Sequence, residues 1–282
     1  VNDIITTSEC GTTTVALNAQ VNSFVERKKL GLSFDKCARI HIGKKSHYQE
    51  CHNIKVHKED MKSSEKEKYL GDFVTKHANA NDTLMARKAR AFAILSEIKA
   101  LLYDIPLGNR KVETGLALRE AWFINGMLFN SEVWGTYTEK YVNDLEVIDH
   151  MILRAILGAQ SKVTVETLYL ETGAMSIKNL ISVRRMLYLK TILDRHDNEI
   201  IKKVYMAMKS NPYKGDWIKL VERDFQKIGL DMDDKLITEM NLNNYKSLIK
   251  KSVWNTFFKE LQETKLTHIQ VKHIEYNNSR KP

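Results

Sequence analysis

Residues 68–103 read KYLGDFVTKHANANDTLMARKARAFAILSEIKALLY, and the hydrophobic rhythm of the chain changes inside this stretch. Up to Thr75, apolar and polar residues alternate around Gly71, the pattern of strand with a turn or close backbone approach at the glycine. From Asp82 the spacing becomes helical. Asp82 is placed to act as N-cap, and Met85, Ala89, Phe92 and Ile98 to Leu102 fall along one apolar stripe. The chain therefore reads as α+β and predominantly helical, with strands confined to its first quarter.

Working outward, "ARIHIG" (38–43) and "NIKVH" (53–57) also alternate as strands do. Before them "VALNAQVNSFVERKKLG" (15–31) is a helix with Val15, Asn18, Asn22 and Val25 near one face and Gly31 beyond its end. After the switch, Pro106 and Gly108 end the first long helix. "VETGLALREAWFINGMLFNSEVW" (112–134) is apolar nearly all round and is expected as the central buried helix of a bundle. Thr136 and Glu139 have the spacing of a capping box, ahead of a helix carrying Leu145, Ile148, Ile152 and Ile156 and closed by Gly158. Helices are further expected over 164–170, 176–193, 198–209, 216–228 and 245–263, with an aperiodic tail after them.

The chain has 282 residues and a formal charge of +9, an excess that suits a polyanionic partner because Lys and Arg displace counterions from phosphates. Its three cysteines, Cys10, Cys37 and Cys51, suit a reducing compartment, nuclear or cytoplasmic. Charges interrupt every apolar run before about 18 residues, so no membrane span is expected. Cys37, His41, His47, Cys51, His52 and His57 cluster in sequence, but their spacing does not match paired zinc-ligand sets. Trp122 and Trp134 read as core residues, and Trp217 as a docking residue at a helix start. Arg184 and Arg185, inside an apolar helix, are a candidate basic pair for a polyanion, and one of them is expected instead to anchor an internal acid such as Glu171.

Five segments in this order, "VNDIITTSECG" (1–11), "LGLSFDKCARIHIGK" (30–44), "EKYLGDFVT" (67–75), "INGMLFNSEVW" (124–134) and "LETGAMSIKNLISVRRMLYL" (170–189), carry a resemblance. Together they resemble the later part of a non-LTR retrotransposon reverse transcriptase, of the clade bearing a restriction-enzyme-like endonuclease. The resemblance implies a palm remnant over 1–76, a helical thumb over 77–160 and a helical extension or linker over 161–282. It implies RNA-directed DNA synthesis with an RNA template and a DNA primer or duplex as partners. Two magnesium ions would act in the intact relative.

In that family an aromatic-x-Asp-Asp turn binds the metals, and it matches Val1, Asn2 and Asp3 here. Asp3 is the implied metal ligand. Asn2 stands where the family has its stronger aspartate ligand, and an amide offers a hard dication no charge. Lys36 is the implied cation beside the departing pyrophosphate. Tyr69, Leu70 and Gly71 match the primer-grip hairpin, and Arg87, Lys88 and Arg90 offer a basic face for duplex binding, Arg87 and Arg90 sharing that face. The family's upstream aspartate and fingers have no counterpart in this sequence. The expectation is thus a fragment of a longer polymerase that is catalytically incomplete by itself, with a zinc knuckle and nuclease following in the family. The rival readings are a domesticated, non-catalytic nucleic-acid-binding protein and a helical protein-interaction scaffold whose charge serves solubility.

Overall fold

The computed structural model describes residues 5–6, 11–31, 33, 37–42, 55–56, 59–69, 72–77, 81–211 and 216–264. The chain divides into two compact units, residues 1–86 and 87–282. The division falls ten residues beyond the palm boundary expected at 76. The expected break at 160 does not separate two units, because helices on either side of it pack on one another.

Among the described residues of the first unit, α1 (Gly11–Arg27) precedes six short strands: β1 (Ala38–Arg39), β2 (Lys55–Val56), β3 (Glu59–Asp60), β4 (Lys62–Ser63), β5 (Lys66–Tyr69) and β6 (Asp72–Thr75). The expected strands over 38–43 and 53–57 are two residues long where described. β1 pairs parallel with β4, and β2 pairs antiparallel with β3. Asn18 and Asn22, one turn apart on α1, both donate their side-chain amides to the Lys55 carbonyl, at 2.5 and 3.4 Å. The antiparallel hairpin of β5 and β6 sets Tyr69 opposite Asp72. It is tied to the start of α2 (Asn81–Tyr103), where the Thr83 hydroxyl accepts from the Phe73 amide at 2.7 Å. Asp82 lies in the first turn of α2 rather than at its cap.

The second unit is helical. The buried stripe of α2 is Arg87, Ala91, Ile94, Leu95, Ile98 and Leu102, whereas Phe92 is 45% exposed and Ala89 is exposed. The expected stripe was out of phase because Arg87, a charged residue, occupies an inward position. Met85, in the first unit, is likewise 64% exposed.

The run 112–134 is not one continuous helix. It comprises α3 (Asn109–Leu118), a π-helical turn over Arg119–Ile124 and a short α4 (Asn125–Met127). The Asn125 amide bonds back to the Glu120 carbonyl, the five-residue reach of a π turn. Arg119, Phe123 and Ile124 are buried, while Glu120, Ala121 and Trp122 face out. Asn130 takes a left-handed conformation (φ 58°), and two 3₁₀ turns follow, over 131–133 and 136–138.

Next come α5 (Glu139–Leu157), α6 (Val165–Thr172), α7 (Ile177–Leu193), α8 (Ile200–Ser210), α9 (Asp216–Lys227), α10 (Asp234–Glu239) and α11 (Leu242–Glu263). Leu145, Ile148, Ile152 and Ile156 of α5 are fully buried, each contributing about 1.5–3 kcal/mol of burial. Gly158 ends the helix at φ 62°, returning its amide to the Arg154 carbonyl. The capping box does not form. Thr138 takes the cap position without a side-chain bond, and the Thr136 amide and hydroxyl both donate to Asp216, at 2.8 and 2.9 Å. Thr164 and Ser176 do cap α6 and α7.

The central helix is α7 rather than the 112–134 run: it packs against the 131–133 turn, α5, α8, α9, α10 and α11. Its burial is hidden in the sequence by Arg184, Arg185 and Lys190. Lys190 is 3% exposed and donates to Asp194 (2.6 Å) and the Thr238 carbonyl (3.1 Å). Lys202 of α8 donates to the Leu193 carbonyl, placing a cation at the negative end of the α7 dipole. α10, which was not anticipated, is only six residues long and is capped by Asp233. Among the described residues, no helix is long and apolar enough to cross a membrane.

Gly115 marks the closest approach of α3 to α5, where a Cβ would lie 2.5 Å from Cγ1 of Ile156. Gly115→Ala is expected to lower stability by about 1–3 kcal/mol, the usual effect of overpacking. Urea unfolding should show a lower midpoint with an unchanged slope.

Candidate nucleic-acid interface

Of the residues implied by the resemblance, Asn2, Asp3, Lys36, Leu70 and Gly71 lie outside the described residues. So do Cys10, His47, Cys51, His52, His57, Tyr213 and Lys214. Tyr69 is half-buried at the tip end of β5. At the base of the same hairpin, a hollow is lined by Glu65, Lys66, Thr75, Lys76, His77 and Asp82. Its charges are matched locally, Lys76 bonding Glu65 and Lys66 lying 3.6 Å from Asp82. Cys37 donates to the Ser33 carbonyl, and burial pushes its thiol up, away from the thiolate that a metal would need. Among the described residues no three His, Cys, Asp or Glu side chains are grouped to hold a metal ion.

The three cations expected on one face of α2 are placed differently. Arg87 is 8% exposed. Its Nη1 donates to the Phe129 carbonyl at 2.7 Å, and its guanidinium lies over the rings of Phe129 and Trp134, at 5.8 and 5.6 Å. Lys88 is bonded to Asp144 of α5 at 2.7 Å. Arg90 is exposed and meets Glu97 on its own helix at 3.2 Å. Arg87 and Arg90 thus do not share a solvent face.

Arg87 acts together with Arg184. Arg184 Nη1 donates to the Leu128 carbonyl at 2.6 Å, so two arginines satisfy successive carbonyls just beyond α4, where a helix end leaves acceptors open. Arg185 pairs with Asp224 at 3.3 Å, not with Glu171, and Ser182 donates to the other oxygen of Asp224 at 2.9 Å. Trp217 docks as expected. Its indole nitrogen donates to the Glu132 carbonyl at 2.7 Å, and its ring meets Tyr188 edge-on. Trp134 is buried, and Trp122 is 40% exposed.

A larger polar cluster lies beneath this face and was not foreseen. Arg119 binds Asp149 through two bonds of 2.6 and 2.7 Å, with the pair 4% and 0% exposed, and reaches the Met175 carbonyl at 2.9 Å. Burial opposes the Arg119 charge, but the Asp149 carboxylate outweighs it and holds the guanidinium protonated.

One turn away, Glu146 accepts from the Tyr169 hydroxyl and the Lys178 amide, both at 2.8 Å. Because the one hydroxyl proton of Tyr169 goes to Glu146, its oxygen accepts from His150 Nε2 at 3.0 Å, which assigns the proton to that nitrogen. Burial pushes Glu146 up, yet the nearby His150 ring and the bonds from Lys178 and Tyr169 prevail and hold it below its ordinary 4.5. Burial, then the Glu146 charge, pushes Tyr169 well up, so it stays a donor. The visible signal for this cluster was an arginine inside an apolar run; its partner, 30 residues away, had none.

Arg119→Met should cost about 3–5 kcal/mol because it strands a buried carboxylate, and Arg119→Met with Asp149→Leu should lose less than the two single changes added. Urea midpoints of the four proteins give the comparison. Glu146 has a second consequence. Its folded pKa lies below the unfolded one, so its contribution is complete above about pH 4.5 and disappears as pH falls through the folded value. Glu146→Gln should therefore show a smaller drop in urea midpoint on acidification than the parent protein. No protein-family model, no curated protein and no solved structure matches this chain, so the roles of its residues rest on their own geometry and chemistry.

Proposed function

We propose that the chain is part of an RNA-directed DNA polymerase of the non-LTR retrotransposon type and that it binds template-primer duplex. The observation that carries this reading is the β5–β6 hairpin. Tyr69 and Asp72 flank its tip in the segment matched to the primer grip, and a 23-residue helix begins at Asn81 directly after it. A hairpin followed by a long helix is the order that a palm leading into a helical thumb would have. The positive charge of the chain supports a phosphate-bearing partner.

Asp3 would contribute to a magnesium site in this reading. A single carboxylate beside the neutral amide of Asn2 is a poor donor pair for a hard dication, so the proposal extends to duplex binding and not to nucleotidyl transfer by these residues. The internal commitment of Arg87 and Lys88 favours a second reading, a helical interaction scaffold with no affinity for nucleic acid.

A salt titration separates the two. A fluorescently labelled RNA–DNA primer-template should bind the full chain at low ionic strength, with affinity falling by a factor on the order of 10³ or more between roughly 50 and 200 mM salt if six or more phosphates are contacted. Anisotropy that stays flat at low salt would reject the polymerase reading and leave the scaffold.

A further inference from the structure

While Arg87 is buried and Lys88 is paired with Asp144, α9 carries cations without such partners. Lys219, Arg223 and Lys227 succeed one another at i, i+4 and i+8, so neighbouring Cβ atoms stand about 5–6 Å apart along one row. Lys227, at the end of the row, is held by Asn179 of α7 and Glu260 of α11, both at 3.3 Å. Lys219 and Arg223 are exposed, and neither makes a hydrogen bond or an ion pair with any described residue.

The acids of α9 are engaged elsewhere. Asp216 accepts from Thr136, Asp224 is bound by Ser182 and Arg185, and the charge of Glu222 bears on Tyr205.

Two further observations point to a bound anion. Arg185 is 6% exposed and lies close enough to Arg223 for the two charges to repel, while its Nε and Nη1 make no hydrogen bond among the described residues. The Arg185 Nε nonetheless lies 3.3 Å from Asp224 Oδ2, so Asp224 balances the Arg185 charge and the positive charge left for a ligand is that of Lys219 and Arg223. The helix is also rigidly mounted, through Asp224 to Ser182 and Arg185, through Trp217 to the Glu132 carbonyl, and through the Trp217 ring to Tyr188. Cations on a fixed backbone lose little freedom on binding. None of the exposed large apolar side chains belongs to α9, so the row offers charge without the apolar anchor that an interfacial membrane helix uses.

We propose that Lys219 and Arg223 contact neighbouring backbone phosphates of a nucleic acid, on a helix held in place by the Arg185–Asp224 pair beneath it. The row is a phosphate track on the helical extension, separate from α2, and it recognises backbone and not base sequence. This rests on the nucleic-acid reading above.

The test compares Lys219→Ala/Arg223→Ala with a charge-matched control, Lys203→Ala/Lys235→Ala, whose side chains are exposed on α8 and α10. Affinity of the full chain for the labelled RNA–DNA hybrid is followed by anisotropy across a potassium chloride series, with circular dichroism melting on each variant. The α9 variant should reduce the slope of log affinity against log salt by about 2 and weaken low-salt binding by roughly tenfold or more. The control should change the slope by much less, and both should melt near the parent temperature. Lys219→Arg/Arg223→Lys, which keeps the charges, should restore the slope. If the parent binds and the two alanine pairs behave alike, the phosphate track is overturned and the nucleic-acid reading survives. If the parent does not bind, both fall.

Discussion

The second unit is organised around a guanidinium that has left water. Arg119 is buried with Asp149, and a charge in that setting is tolerated only when its donors are matched, here by a two-bond carboxylate and the Met175 carbonyl. Those partners come from α5 and from the segment entering α7, so one side chain ties three parts of the chain together. The π turn belongs to the same arrangement. Its wider winding changes the phase of the helix so that Arg119, Phe123 and Ile124 face inward while Glu120 to Trp122 face solvent. Glu146, Tyr169 and His150 extend the cluster to α6, and the Lys178 amide extends it to α7. Both Glu146 oxygens and the Tyr169 oxygen have donors, which makes the α5–α6–α7 junction a specific geometry rather than a merely apolar one.

The same logic explains how a helix with three cations in seven residues can be the most surrounded in the unit. Arg184, Arg185 and Lys190 carry their charges to a backbone carbonyl, a carboxylate, and a carboxylate with a carbonyl, respectively. Arg87 does likewise beside Arg184 at the end of α4, and Lys202 at the end of α7. A formal charge of +9 therefore overstates the positive surface, since several cations act as internal caps. What matters for a polyanionic partner is the set of cations that folding does not consume. On α9, Lys219 and Arg223 meet that condition, whereas Arg87 and Lys88 do not.

Where apolar period and end signals agreed, local sequence was a sound guide. Leu145, Ile148, Ile152 and Ile156 form the buried stripe of α5, and Gly158 ends it. Thr164 and Ser176 cap the helices they precede. The hairpin at 66–75 follows from alternation around Gly71. The misreadings share a cause. Met85 and Phe92 drew the stripe of α2 to the wrong face because inward Arg87 looks polar. The run 112–134 was taken as central because its apolar residues surround the axis, yet Trp122 and Phe129 are 40% and 46% exposed. Thr136 has the spacing of a cap but finds Asp216, 80 residues away.

Sequence alone determined the ends of helices such as α5, α6 and α7 and the aliphatic residues that line α5, because capping and periodicity act over a few residues of one segment. It also made Arg184 and Arg185 conspicuous as charges among apolar neighbours. Only the tertiary structure decided what each charge does. Arg119, Arg185 and Arg184 take their roles from partners 30 to 56 residues away, Asp149, Asp224 and the Leu128 carbonyl, and no local pattern encodes that distance.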